Sequence, residues 1–319
     1  MFLKSAAFAR STRKTYHCQS QSYFRFCLNY GLQPVPASQD TIVSYMAFLS
    51  RSLAPNSVKG YMNAIRIIHL EAGFSNPLIS NWEVNMIQKG ISRLMGKPPK
   101  QKLPITIPIL IDLLRSLTDH PCDLAFRAAC LIAFFGFLRK STLLPVSEDL
   151  VQGKYIARSD VMDLTLSSFQ LQIKYSKTIQ FGQRILSLPY VVCDDTRLCP
   201  VRAILSHLGR SKLQPSRPLF NYVSGLQEVH FSTAFFMKKL RSTLVQAGHP
   251  ASDISCHSFR RGGASLAYMV GLSATDIKLR GEWRSNAFEQ YLCVSKSTAL
   301  QSAKSLSAGA LSLARDSNR

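Results

Sequence analysis

The 319-residue chain carries 39 Lys and Arg against 18 Asp and Glu, a formal net charge of +21, with 46% apolar and 18% charged residues. That composition is globular, not disordered, and the length predicts two domains that each bury a core. The charge far exceeds what solubility requires and points to a polyanionic partner.

The longest apolar run, Ala128 to Leu138, is too short to span a bilayer, and the first residues hold no stretch suited to a signal peptide. The 8 cysteines are scattered, with no Cys-x-x-Cys pair and no Cys/His cluster at zinc spacing. They are expected to be reduced thiols, and a secreted, membrane or metal-dependent protein is disfavoured.

The first predicted helix starts at Ser11 or Thr12, carries Tyr16, Tyr23, Phe24, Phe26 and Cys27, and ends before Pro36. Helices over 41–49, 55–70 and 82–94 follow. Residues 1–95 thus read as a small helical domain. The stretch Met95 to Pro108 (MGKPPKQKLPITIP) breaks the periodicity with prolines, and 96–108 reads as a linker.

The second domain, 109–319, opens with helical patterns over 107–117 and 123–138. Near Gln170 the period drops to two: Leu171, Ile173 and Tyr175 alternate with polar neighbours, and Ile185 to Leu188 alternate again. This predicts a β-hairpin with Lys177 at or near its tip. Helices resume over 201–208 and 232–247, and three more follow in the last 70 residues. The fold class is mainly α with a small hairpin or sheet.

Basic residues sit in the linker (Lys97, Lys100, Lys102), on the hairpin (Lys174, Lys177, Arg184), on a late helix (Lys238, Lys239, Arg241) and from Arg260 through Lys278, Arg280 and Arg284. Their spread over both domains suits a clamp around double-stranded DNA, bound mainly through phosphates. No zinc finger, RNA-binding aromatic pair or phosphate-binding loop is present, so neither RNA binding nor a nucleotide cofactor is expected.

Four pieces of the sequence suit phosphate chemistry. Arg139 in GFLRKS reads as the end of an apolar helix, where its planar fork can meet a phosphate. His257 and Arg260 in HSFRRGG share a helix face at spacing i, i+3, pairing an acid/base group with a charge clamp. Gly281-Glu282-Trp283 precedes Tyr291, which lies on a short helix capped by Ser285 or Asn286; as isolated aromatics, Trp283 and Tyr291 would simply be core residues. Lys177 on the hairpin could protonate a leaving oxygen.

The order Arg, Lys, His-x-x-Arg, Gly-x-Trp, Tyr resembles the tyrosine recombinase (phage-integrase) superfamily over almost the entire chain. The segments FFGFLRKSTLLP, IKYSKTIQFGQR, LCPVRAILSHL and HSFRRGGASLA are most similar to recombinases of DIRS-type and Ngaro-type retrotransposons, with crypton-like elements second. The resemblance implies a SAM-like core-binding domain followed by a catalytic domain. It implies that Arg139 and Arg260 neutralise the scissile phosphate and that His257 assists proton transfer. Lys177 would be the general acid for the 5′-oxygen, Trp283 would fill a position often held by histidine, and Tyr291 would be the nucleophile forming a 3′-phosphotyrosine. No cofactor or metal is implied. A homo-tetramer on DNA that acts through a Holliday junction is implied, and eukaryotic kinship suggests a nuclear location.

Two departures stand out. Thr142 occupies a position that is acidic in many relatives, and the Trp283 to Tyr291 spacing is eight where nine is commoner. A type IB topoisomerase-like activity, or a domesticated chain that only binds DNA, are the alternatives. After Tyr291, Thr298 to Ala314 could form a weak helix that packs into a neighbouring protomer.

Overall fold

The structure is a computed structural model that describes residues 7–79, 81–98, 101–145 and 153–292, and in the tail 300, 303–304 and 307. The chain divides into two compact units, Met1–Lys100 and Gln101–Arg319. Among the described residues no helix is long and apolar enough to cross a membrane.

The first unit contains helices α1 (Arg10–Asn29), α2 (Gln39–Ser50), α3 (Pro55–Glu71) and α4 (Trp82–Met95). The α1 helix begins just after Ala9, slightly earlier than its sequence predicts, and Ala9 makes no side-chain cap. Ser38 and Asn81 cap α2 and α4 by accepting the N–H of Thr41 and Val84. Tyr23, Phe26, Tyr45, Met46, Val58, Met62 and Ile65 fill the core. His69 is buried there: its Nδ1 donates to the Ile65 carbonyl and its Nε2 accepts the Ala37 N–H, each at 2.8 Å.

The second unit starts inside the stretch read as linker. The Leu103 N–H donates to the Asp253 carbonyl and the Ile105 N–H to the Ser258 carbonyl, at 2.8 and 3.0 Å, and Ile105 is fully buried. The prolines stiffen this segment without detaching it, because its intervening N–H groups find partners in the same unit.

Helices α5 (Ile107–Arg115), α6 (Pro121–Phe135) and α7 (Lys140–Leu143) follow. From Leu124 to Phe134 only Arg127 interrupts a run of buried residues, so α6 is the central helix, packed by α8 (Pro200–Arg210) and α10 (Cys256–Met269). The predicted hairpin is present as β2 (Ser168–Ile173) and β3 (Leu186–Val191), antiparallel with Ile173 opposite Leu186. Phe169, Leu171 and Ile173 turn inward and meet Leu188 and Tyr190 in the core, as period-two alternation requires. A two-residue strand β1 (Val161–Met162) adds to β2, and β4 (Tyr222–Ser224) pairs with β5 (Gln227–Val229); the sequence signalled neither.

Helices α9 (Thr233–Gln246) and α11 (Ala274–Gly281) and a 3₁₀ segment, Asn286–Tyr291, complete the unit. Two glycines let α10 approach the core closely. A Cβ on Gly262 would lie 1.8 Å from the Ile105 carbonyl oxygen, and one on Gly263 2.1 Å from that of Phe134. Leu300, Ala303, Lys304 and Ser307 are helical. The rest of the predicted tail helix lies outside the described residues.

Candidate active site

The site begins where α6 stops. Helix α6 ends at Phe135 and not at Leu138 as its apolarity suggests, with Gly136 at its C-cap. Phe137 then adopts a left-handed conformation, φ 50°, unusual for a bulky residue. Two arginines hold this turn. Arg260 Nη1 donates to the Phe137 carbonyl at 2.5 Å, and Arg280 Nε donates to the Phe135 carbonyl while its guanidinium lies over the Phe137 and Tyr190 rings. Arg139 therefore does not end a helix. It is the N-cap residue of the one-turn α7, set by the reversal at Phe137.

Arg260 is the largest fully buried side chain among the described residues. Besides Phe137 it serves Gly281, whose carbonyl accepts from Nη2 at 2.7 Å. Its guanidinium carbon sits 3.6 Å from the Trp283 ring centroid and 5.4 Å from that of Tyr291. The close stacking is possible because residue 281 is glycine: a Cβ there would lie 1.7 Å from the indole. Trp283 and Tyr291 pack edge to face at 5.2 Å, and the His257 ring lies 4.9 Å from Tyr291. Tyr291 ends the 3₁₀ segment that Ser285 caps by accepting the Ala287 N–H. The short Trp283-to-Tyr291 spacing is thus met by a tightly wound segment, and Tyr291 reaches both Trp283 and Arg260.

Five of the six candidates, Arg139, His257, Arg260, Trp283 and Tyr291, converge through direct contacts or shared electrostatics. Lys177 stands exposed in the turn bridged by Ser176 and Ile179. Among the described residues no hydrogen bond or ion pair joins its ammonium to the cluster.

A residue singled out only as part of a motif proves central. Glu282 is buried in the left-handed region, φ 55°, at the end of α11. Its Oε1 accepts from the Ser176 and Thr178 hydroxyls, both at 3.0 Å, and lies 3.6 Å from Arg184 Nη2. Its Oε2 lies 3.7 Å from Arg139 Nη1. Thr142, where an acid is common, is buried and donates its N–H to the Arg139 carbonyl at 2.9 Å.

The electrostatics favour an anion. Burial, and then the nearby Arg139 charge, pull the Arg260 pKa down from the usual guanidinium range, while Tyr291 and Glu282 push it up. A guanidinium keeps its proton regardless, so the shift expresses cationic charge incompletely compensated by the protein. Partial desolvation, followed by Arg260, Arg139, Arg261 and Lys140, lowers the His257 pKa, favouring neutral imidazole. Among the described residues, Arg139 Nη1, Arg260 Nε and Trp283 Nε1 are buried donors with no hydrogen-bond partner. Orphaned donors beside two cations fit an oxyanion such as a phosphodiester.

No protein-family model matches the sequence. The chain is 28% identical over 282 residues to an integrase/recombinase xerD homolog of Selenomonas ruminantium, covering 84% of this chain and 77% of that protein. Its fold is similar to that of the XerH site-specific recombinase in a post-cleavage complex with a palindromic difH substrate. That likeness has a TM-score of 0.61 at 13% identity and covers 91% of this chain and 78% of that one. It is also similar to lambda integrase in a tetramer bound to a Holliday junction, with a TM-score of 0.57 at 14% identity, covering 92% and 74%. The chain has the tyrosine-recombinase fold, and these likenesses support a place in that superfamily.

Proposed function

We propose that the chain is a site-specific DNA recombinase or integrase of a mobile element, which cuts and rejoins DNA through a 3′-phosphotyrosine. The observation that carries this reading is the convergence of Tyr291, His257 and Trp283 on Arg260, beside Arg139 and with three buried donors that have no acceptor among the described residues. In the proposed step the Tyr291 phenolic oxygen attacks the scissile phosphorus and its proton passes to neutral His257. The bond from phosphorus to the 5′-oxygen breaks, and that oxygen takes a proton from Lys177. Arg139, Arg260 and Trp283 Nε1 stabilise the charge that grows on the nonbridging oxygens. The phosphotyrosine retains the phosphodiester's energy for rejoining.

The net charge of +21, with basic residues in both units, supports a double-stranded DNA partner. The integrase and recombinase relatives support strand exchange in a tetramer through a Holliday junction. The similarity of FFGFLRKSTLLP and HSFRRGGASLA to DIRS-type and Ngaro-type elements supports the mobile-element setting, and with it a nuclear location.

Nicked suicide duplexes tiled across the DNA flanking the encoding gene test the proposal. A detergent-resistant adduct that vanishes in Tyr291→Phe is expected. Adducts with plasmid relaxation but no recombinants would instead indicate a topoisomerase-like enzyme, and DNA binding without adducts would leave a binding protein.

A further inference from the structure

We infer that Glu282 is a positioning residue that clasps the Lys177-bearing turn to Arg139; the inference rests on the proposed function. The carboxylate is divided between two structures. Oε1 takes the hydroxyls flanking Lys177, those of Ser176 and Thr178, and Oε2 faces Arg139. The grip has a second point two residues on, where Arg284 Nη2 donates to the Thr178 carbonyl at 3.2 Å. Between them Trp283 stacks on Arg260. One three-residue segment therefore contacts the turn of Lys177, Arg139 and Arg260.

The physical reason for a carboxylate here lies in what surrounds it. The Arg139 and Arg184 guanidinium groups each lie near a different oxygen of a carboxylate that is 6% exposed. Burying an acid at this depth is tolerable only with such partners. In return it fixes the direction of Arg139, which lacks an acidic neighbour on its own helix because residue 142 is threonine. Both ion pairs are longer than a direct hydrogen bond, so Glu282 orients Arg139 without occupying its Nη1 donor, which remains available to a phosphate oxygen. The turn gains from an external anchor because its strand pairing is slight and its other closures are local side-chain hydrogen bonds. The ladder of β2 and β3 ends at Ile173 and Leu186; beyond it, among the described residues, the backbone pairing is the Ser176–Ile179 bridge, supplemented by side-chain bonds from Gln180 and Gln183 to the Lys177 and Thr178 carbonyls.

Two variants separate the arms of the clasp. Glu282→Gln keeps the volume and the acceptor for the hydroxyls but removes the charge that orients Arg139. The double variant Ser176→Ala/Thr178→Val keeps Glu282 and removes its hold on the turn. On flanking duplexes where the wild type forms adducts, each should lower the maximal single-turnover adduct rate about tenfold, as expected for a lost hydrogen bond to a charged group. The DNA concentration for half-maximal rate should not change. Combining the two should cost clearly less than the product of the separate losses, because both act through one carboxylate. Unchanged maximal rates, fully multiplicative losses, or an effect confined to half-saturation would overturn the inference.

Hydrogen exchange in the DNA-free chain gives an independent readout. Because Ser176 Oγ also accepts the Thr178 and Ile179 N–H groups, Glu282→Ala is used for this readout: amides of residues 176–179 should exchange faster in it, while those of β2 and β3 keep their protection. If the wild type forms no adduct on any duplex, the functional proposal fails, and unchanged exchange at 176–179 would then refute the clasp separately.

Discussion

Arg260 stacks on Trp283 with its guanidinium carbon 3.6 Å from the indole centroid, while its two terminal nitrogens donate to the carbonyls of Phe137 and Gly281. A single side chain thus joins the strained turn before Arg139 to the end of α11. Among the described residues its Nε has no partner. Arg260 is thus built into the fold, whereas the side chain of Arg139, one-fifth exposed, is paired among the described residues with Glu282 alone.

This difference separates the two arginines experimentally. Arg260→Ala should destabilise the second unit by about 3 kcal/mol, because two carbonyls lose their donor in a buried site. Arg139→Ala should cost less, about 1–2 kcal/mol, because buried Glu282 loses one cation but keeps Arg184 and the hydroxyls of Ser176 and Thr178. It should still slow adduct formation by roughly a hundredfold or more, as loss of one electrostatic donor to a developing oxyanion does. Denaturant unfolding and single-turnover cleavage check the pair.

The His257 pKa is lowered chiefly by desolvation and then by the cations Arg260 and Arg139. Arg139→Ala should therefore raise it toward the ordinary 6.5 without fully restoring it, because desolvation persists. Titration of the imidazole resonances by NMR reads this directly. In the wild type, the imidazole should be neutral at pH 7 and the acid limb of the cleavage rate should lie below 6.5.

A second histidine gives the fold its own pH dependence. His207 is fully buried, its Nε2 lies 2.8 Å from the Leu219 carbonyl, and burial lowers its pKa from 6.5 to about 4. As pH falls through that window the unfolded chain takes up the proton first. The stability present above pH 6.5 is therefore lost progressively down to about 4, by about 3 kcal/mol in all. His207→Gln should flatten this part of the urea-unfolding profile relative to wild type.

Gly262 tests how tightly the helix of His257 and Arg260 must seat. Gly262→Ala would place a methyl 1.8 Å from the Ile105 carbonyl oxygen, which belongs to backbone that cannot swing aside. A loss of about 2 kcal/mol or more is expected from overpacking, together with faster exchange of the Ile105 N–H, which bonds to Ser258. Thermal unfolding and hydrogen exchange measure the two effects.

Periodicity and capping made most of the helices legible, and strict alternation revealed the hairpin, because both patterns record which face is buried. Apolarity misjudged α6. Its run continues to Leu138, but Phe137 and Leu138 are buried in a turn and not in a helix, and burial alone cannot distinguish them. Strands β1, β4 and β5 have two or three residues each, too few to show a period. The order of basic and aromatic residues exposed five members of the cluster and Lys177. Glu282 escaped notice because Ser176 and Thr178 precede it by more than 100 residues, and no local spacing encodes such a contact. The family pattern places an acid near Arg139 at residue 142, which is threonine here, whereas the fold supplies one from the end of α11.

The most direct measurement of the central claim is mass spectrometry of the digested adduct formed on a nicked duplex from the flanking DNA. The account predicts a peptide carrying nucleotide through a 3′-phosphate on the Tyr291 oxygen, absent from Tyr291→Phe. Linkage to any other residue, or through a 5′-phosphate, would contradict it.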